Sequence, residues 1–211
     1  MRAPLADVRG VVFDFDGTLT APAAIDFVAM RAAVGCPEGA GILRHVESLP
    51  SAGERAAAMA RVEAIEAEAA GRSLPLPDAE ALVAALRARG IPIGVLTRNS
   101  LASVRLALAN FRVVTEAQFA VIVTREAPHP PKPAPDGVIS AARAMGLEPA
   151  DVVMIGDYRY DIEAGAAAGA RTIWIHHGER DVTPRPTPDY EAATIAEIAA
   201  LLGVSLASER S

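Results

Sequence analysis

The stretch GVVFDFDGTLT, Gly10–Thr20, begins as a buried strand and ends as something else. Gly10–Phe15 is an almost unbroken apolar run, the pattern of a strand covered on both faces, yet Asp14 and Asp16 arrive at its end with only Phe15 between them. Alternate side chains of a strand face the same way, so the two carboxylates share a side and Phe15 takes the other. Held that close, they resist ionising together unless a cation or a shared proton relieves them. Asp and Gly also close ordinary strands in turns, so the rest of the chain must decide between a turn and a site.

Composition narrows the classes. The chain has 211 residues, 51% of them apolar, with a mean hydropathy of +0.25, enough to bury a core as one domain or one domain with a small insertion. No window approaches the ~18 consecutive apolar residues of a membrane helix, and MRAPLADVRG carries charges where a signal peptide is apolar, so a soluble, cytoplasmic protein without membrane partners is expected. Cys36 is the only cysteine, which leaves no intrachain disulfide and no thiolate metal cluster. A net charge of −6, with no basic stripe, argues against nucleic acid as a partner.

Working outward from Gly10–Phe15, β-rich runs alternate with helical ones. Strands are expected at Pro92–Thr97, Phe119–Thr124, Asp151–Gly156, Thr172–His176 and near Tyr190. Helices are expected at Asp78–Arg89, Leu101–Ala109, Pro135–Met145, Asp161–Ala168 and Thr194–Leu202. That alternation implies an α/β fold, a doubly wound parallel sheet of Rossmann-like type. The rhythm breaks once. Between Ala21 and Leu74 three helical stretches follow one another, Ala23–Val34, Glu38–Leu49 and Ala52–Ala70, the last with Met59, Val62, Ile65 and Ala69 as an apolar stripe and Arg61, Glu63, Glu66 and Glu68 mostly off it. Residues 21–74 therefore read as an all-helical insertion after the first strand of a core made from 1–20 and 75–211.

In such sheets ligands gather at the carboxyl ends of the strands. The first strand ends in Asp14 and Asp16, the second in Thr97, Arg98 and Asn99, and the fourth delivers Asp157 and Asp161. Lys132, in PHPPKPAPDG, precedes a helix. It is also the only lysine among 20 basic residues, either an exposed lysine that happened to remain or a position where a compact ammonium does what a guanidinium cannot.

Together these residues resemble a known family. DFDGT, the strand-end Thr97, the lysine in a KP context, and GDYRYD followed by IEAGAAAGA resemble, in order and spacing from about Val11 to Ile175, the four motifs of the haloacid dehalogenase-like hydrolase superfamily, particularly its phosphoglycolate-phosphatase-like phosphatases with a small helical cap. The resemblance implies a magnesium-dependent hydrolase acting on the phosphoric monoester bond of a small phosphorylated metabolite. Asp14 would be the nucleophile that forms an aspartyl-phosphate, and Asp16 the general acid and then base. Thr97, Arg98 and Asn99 would hold the phosphoryl group with Lys132. Mg2+ would take Asp14, the Asp16 carbonyl and Asp157, with Asp161 ligating through water or orienting Lys132. An aspartate at position 16 favours phosphoryl over carbon chemistry, and a cap without lysine disfavours a Schiff base.

Two alternatives share these motifs, a phosphomutase or phosphotransferase that passes phosphate to an alcohol, and a regulatory module that takes up phosphate without turnover. In the insertion, Arg44 and His45 are either solvated helix residues or contacts for a substrate anion. His176 and His177 are expected in structural or rim roles and Trp174 in the core. The number of subunits is left open.

Overall fold

The fold is that of a computed structural model, which describes residues 5, 7–21, 25–178 and 184–206. In chain order, β1 (Gly10–Phe13) is followed by α1 (Phe27–Val34), α2 (Ile42–Glu47), α3 (Ala52–Arg72) and α4 (Ala79–Ala88). Then come β2 (Ile93–Leu96), α5 (Leu101–Leu108), β3 (Val121–Val123), α6 (Asp136–Ala144), β4 (Val152–Gly156), α7 (Arg159–Ala168), β5 (Arg171–Ile175), β6 (Tyr190–Ala192) and α8 (Ile195–Leu201). The strands form one sheet in the order β3-β2-β1-β4-β5-β6, every pair parallel.

Residue alternation along the strands builds two cores. Val11, Phe13, Val95, Val153, Ile155, Ile173 and Ile175 face α4, α5 and α8. Val12, Leu96, Val123 and Met154 face the other way, onto Val138 and Ala141 of α6 and Ala164 of α7. With both faces covered, β4 is buried from end to end, as the unbroken apolar run VVMIG requires.

The helical insertion has a hydrophobic cluster of its own, with Met30, Val34, Ile42, Val46, Ala58 and Val62 at its centre. Local signals start and stop its helices. Asp26 accepts the Ala29 N–H at 2.8 Å, Gly35 ends α1 in the left-handed region, and Ser51 and Glu54 form a reciprocal capping box at the start of α3. The outgoing and returning segments lie side by side, the Ala21 N–H donating to the Leu74 carbonyl and the Leu76 N–H to that of Leu19, each at 2.9 Å.

Several expected boundaries move. β1 stops at Phe13 rather than Phe15, because the Phe15 carbonyl turns to accept the N–H groups of Leu19 and Thr20 at 2.9 and 3.0 Å. α7 starts at Arg159, ahead of the expected Asp161. In the insertion, Ala23 and Ala24 lie outside the described residues and α1 is described from Phe27, while α2 spans only Ile42–Glu47, after the Gly39 and Gly41 turn. Among the described residues no helix is long and apolar enough to cross a membrane.

Candidate active site

The sheet order reverses between β1 and β4, and that switch opens a crevice at their carboxyl ends. Asp14 extends the pairing of the two strands by one bond, its N–H donating to the Ile155 carbonyl at 2.8 Å. Asp157 follows β4 directly. The turn after β1 can approach it only because residue 17 is glycine, with φ +75°; a Cβ there would lie 2.2 Å from an Asp157 carboxylate oxygen. His177 steadies the same turn, with Nε2 2.6 Å from the Gly17 carbonyl oxygen.

Lys132 enters from the loop before α6. Its Nζ donates to Asp14 Oδ1 and to Asp161 Oδ1, each at 2.5 Å, and its side chain is only 4% exposed. Asp161 turns its second oxygen to the Tyr158 N–H, at 3.0 Å, and so caps its own helix. Gly156 makes that fit possible, since a Cβ there would sit 2.3 Å from the Asp161 Cβ.

Asp16 has different partners from Asp14. Asn99 Nδ2 donates to Asp16 Oδ2 at 2.5 Å, and the Thr20 hydroxyl donates to Oδ1 at 3.4 Å. Asn99 was expected to bind a phosphoryl group, but its side chain goes to Asp16 and its N–H to Thr97 Oγ1, at 3.1 Å. Thr97 itself is buried at the floor of the crevice.

Burial and crowding set the electrostatics. Burial, then the Asp14 charge, raises the Asp16 carboxyl to about 6. Burial, then Asp14 and Asp161, also pushes Asp157 up, and burial with Asp14 does the same for Asp161. For Lys132 burial alone would depress the ammonium, but Asp14 and Asp161 outweigh it and keep the group above its ordinary value, protonated throughout the physiological range. One oxygen each from Asp14, Asp157 and Asp161 lies within 4.8 Å of the others. Two buried carboxylates bridged by one ammonium, with the half-buried Asp157 beside them and oxygen as the only ligand type, fit a hard divalent cation.

Above this floor the insertion and core enclose a cleft of about 1140 Å³ that reaches Thr97 and Lys132. Arg44 and His45 both line it. Arg44 is exposed there, whereas His45 Nε2 lies 3.2 Å from the Val34 carbonyl, which ties it to its own unit. Arg98 lies against Tyr160, its guanidinium carbon 5.6 Å from the ring centroid, and its buried Nε has no hydrogen-bond partner among the described residues.

The pattern of the sequence passed over three participants. Trp174 is buried as expected, but its indole N–H also donates to the Asp157 carbonyl at 2.8 Å. Glu66, grouped with the charged residues mostly off the apolar stripe of α3, is only 5% exposed, because Arg125 from the core donates to it at 2.8 Å. Glu66 follows Val62 by four residues, so the helical period itself puts it beside the apolar stripe.

The profile of the haloacid dehalogenase-like hydrolase family matches residues 8–169. An uncharacterized hydrolase of Saccharomyces cerevisiae is 34% identical over 81% of this chain and 78% of its own length. A phosphoglycolate phosphatase of Escherichia coli is 28% identical over 82% of each chain. Among solved structures, a hydrolase from Pseudomonas syringae superposes with a TM-score of 0.79 at 18% identity, covering 92% of this chain and 98% of that one. The order of the strands, the carboxylates gathered at the switch point and a profile spanning most of the sheet agree: the chain belongs to the haloacid dehalogenase-like hydrolase family.

Proposed function

We infer that this hydrolase is a magnesium-dependent phosphatase that cleaves a small phosphomonoester through an aspartyl-phosphate on Asp14. One observation carries the reading: the two carboxylates at the end of β1 have separate partners, Asp14 an ammonium and Asp16 an amide. An acceptor-only carboxylate beside a fixed positive charge suits a nucleophile. A carboxyl group raised to about 6 suits proton transfer near neutral pH.

In the first step an Asp14 oxygen bonds to phosphorus as the ester oxygen departs, taking the proton from Asp16. In the second, Asp16 removes a proton from water, the water oxygen bonds to phosphorus, and the Asp14–phosphorus bond breaks to release phosphate. Lys132 offsets charge on Asp14 and on the phosphoryl group, and Asp161 holds Lys132 in place. Thr97 and the Arg98 and Asn99 segment frame the phosphoryl oxygens. Asp14, Asp157 and the main-chain carbonyl of Asp16 would hold Mg2+, with Asp161 behind them. When bound, the ion offsets the charge gathered by the carboxylates and the phosphoryl oxygens.

Residues 21–74 serve in this reading as a cap over a core of 1–20 and 75–211, with Arg44, and less directly His45, toward the substrate. The relative named phosphoglycolate phosphatase supports a small phosphorylated metabolite as substrate, and a lone, unpaired cysteine is in keeping with the cytoplasm.

The test is phosphate release from a panel of phosphorylated metabolites and p-nitrophenyl phosphate, with Mg2+ and with a chelator. The expected result is Mg2+-dependent release of inorganic phosphate over many turnovers. Transfer to a second hydroxyl without release would make the protein a mutase, and a single phosphorylation without turnover would make it a binding module.

A further inference from the structure

The buried Glu66–Arg125 pair has no part in the mechanism above. Glu66 lies on α3, which reaches from the insertion to the core. Ala58 and Val62 pack with the insertion's own cluster, while Ala70 joins the main core and Asn110 Nδ2 donates to the carbonyls of Ala70 and Ser73 at 3.0 and 2.9 Å. Arg125 lies on the loop after β3. Its Nη1 donates to Glu66 Oε1 at 2.8 Å and its Nη2 is 3.7 Å from Glu63 Oε1, with the side chains of Arg125 and Glu66 10% and 6% exposed. A buried ion pair seldom stabilises a fold more than an apolar pair would, and here Glu66 Oε2 and Arg125 Nη2 are buried without hydrogen-bond partners among the described residues. Stability is therefore a poor account of it.

The pair's further connections suggest a better one. The Arg125 N–H donates to the Asn99 carbonyl at 3.1 Å, and Asn99 Nδ2 donates to Asp16 Oδ2 at 2.5 Å. Glu126 ties the same two loops a second time, accepting from the Thr124 hydroxyl at 2.5 Å and the Leu101 N–H at 3.3 Å. With Asp16 Oδ1 held, among the described residues, only by the 3.4 Å contact to Thr20, Asn99 is the main restraint on rotation of the Asp16 carboxyl. Asn99 is in turn fixed at its N–H by Thr97 and at its carbonyl by Arg125.

We propose that Glu66 and Arg125 are positioning residues that make the orientation of the Asp16 carboxyl depend on the seating of α3 against the core. This rests on the reading of Asp16 as the proton donor. With α3 docked, the path from Glu66 through Arg125 and Asn99 holds Asp16 toward the leaving oxygen. With α3 displaced, Arg125 loses its anchor and Asn99 its fixed carbonyl. Proton delivery is then tied to the closed arrangement, so the ester bond breaks only when its alcohol is enclosed.

The test compares p-nitrophenyl phosphate with phenyl phosphate, molecules of similar shape whose leaving groups differ in their need for a proton, at saturating Mg2+. The variants are Arg125→Gln and the isosteric Glu66→Gln, with Asp16→Asn as reference. Both pair variants should lower kcat/KM for phenyl phosphate by about tenfold or more and for p-nitrophenyl phosphate by less than about threefold, the same skew as Asp16→Asn in milder form. Equal falls on both esters, or no change on either, would overturn the proposal and leave the pair as structural. A skew in Arg125→Gln but not in Glu66→Gln would also overturn it, since Arg125 lines the cleft and would then be touching substrate directly. If Asp16→Asn itself shows no skew, the proton-donor reading fails, and the inference with it.

Discussion

The two walls of the cleft differ in how much is settled before a ligand arrives. On the strand-end wall Lys132 is 4% exposed and held by two aspartates, Asp161 is bonded at both oxygens, and Asp16 is gripped by Asn99. On the opposite wall Arg44 is exposed and sits on the six-residue helix α2, and its side chain forms no hydrogen bond or ion pair among the described residues. Fixed dipoles and charges act on developing charge without reorganising, so the first wall suits chemistry common to every phosphomonoester. The second is free to take up whatever distinguishes one ester from another.

The contrast breaks most sharply at Asp14. Asp14→Asn should reduce phosphate release to background for every ester tested, because a neutral amide cannot form the aspartyl-phosphate. Intact-mass analysis should accompany the assay to exclude deamidation. Appreciable turnover by a verified Asp14→Asn preparation would remove the nucleophile from the strand-end wall.

Next in size is Lys132→Arg. A planar fork cannot take the place of an ammonium in a 4%-exposed slot between two carboxylates, so kcat should fall about 10²-fold or more, as for Lys132→Ala. Near-parental kinetics would mean that this wall is less rigid than its bonds imply.

The carboxylates offer a stability test. Burial and the neighbouring aspartates raise Asp157 above its ordinary 3.8, so the ion-free fold retains a proton that the unfolded chain releases. Where the folded state binds more protons, stability falls as pH rises, here from the unfolded value up through the raised folded one. Asp157→Asn should therefore stabilise the ion-free protein near neutral pH by about 1 kcal/mol or more, an advantage that shrinks toward about pH 5. Mg2+ at ~100 times its Kd should stabilise the parent by ~2.7 kcal/mol, several degrees in Tm, and the variant scarcely at all. Calorimetry with chelator and with Mg2+ reads both. An Mg2+ shift that survives in the variant would place the ion elsewhere.

The smallest effect belongs to the open wall. Arg44→Ala should lower kcat/KM for the physiological ester by about tenfold, ~1.4 kcal/mol of transition-state binding, and leave p-nitrophenyl phosphate nearly unchanged. Parallel losses would make Arg44 a support of the insertion, and no loss would return it to solvent.

The same contrast decides how far the sequence could be read. Asp14, Thr97, Lys132, Asp157 and Asp161 each follow or precede an apolar element at a fixed place, and a parallel sheet brings such places together, so local pattern was enough to assemble the floor of the site. Glu66 and Arg125 meet across 59 residues, and a charge on an amphipathic helix reads as solvated until its partner is seen. Asn99 is a subtler case. Its position at the end of β2 was readable, but the choice between a phosphoryl group and Asp16 depends on a rotamer set by neighbours from three segments. Exposed Arg44 left no pattern beyond its place in α2, since nothing packs it into a single arrangement.

The bond between Trp174 and the Asp157 carbonyl gives the protein a built-in optical reporter. The chain has a single tryptophan, so emission excited at the red edge of the absorption band comes from one indole, tethered to the backbone of one of the three carboxylates that could hold a cation. Any shift of that carbonyl as an ion or a phosphoryl group arrives alters the donor's environment and so its colour or intensity. Ligand arrival could thus be timed by stopped flow on the unlabelled, unmutated chain, separately from the release of product.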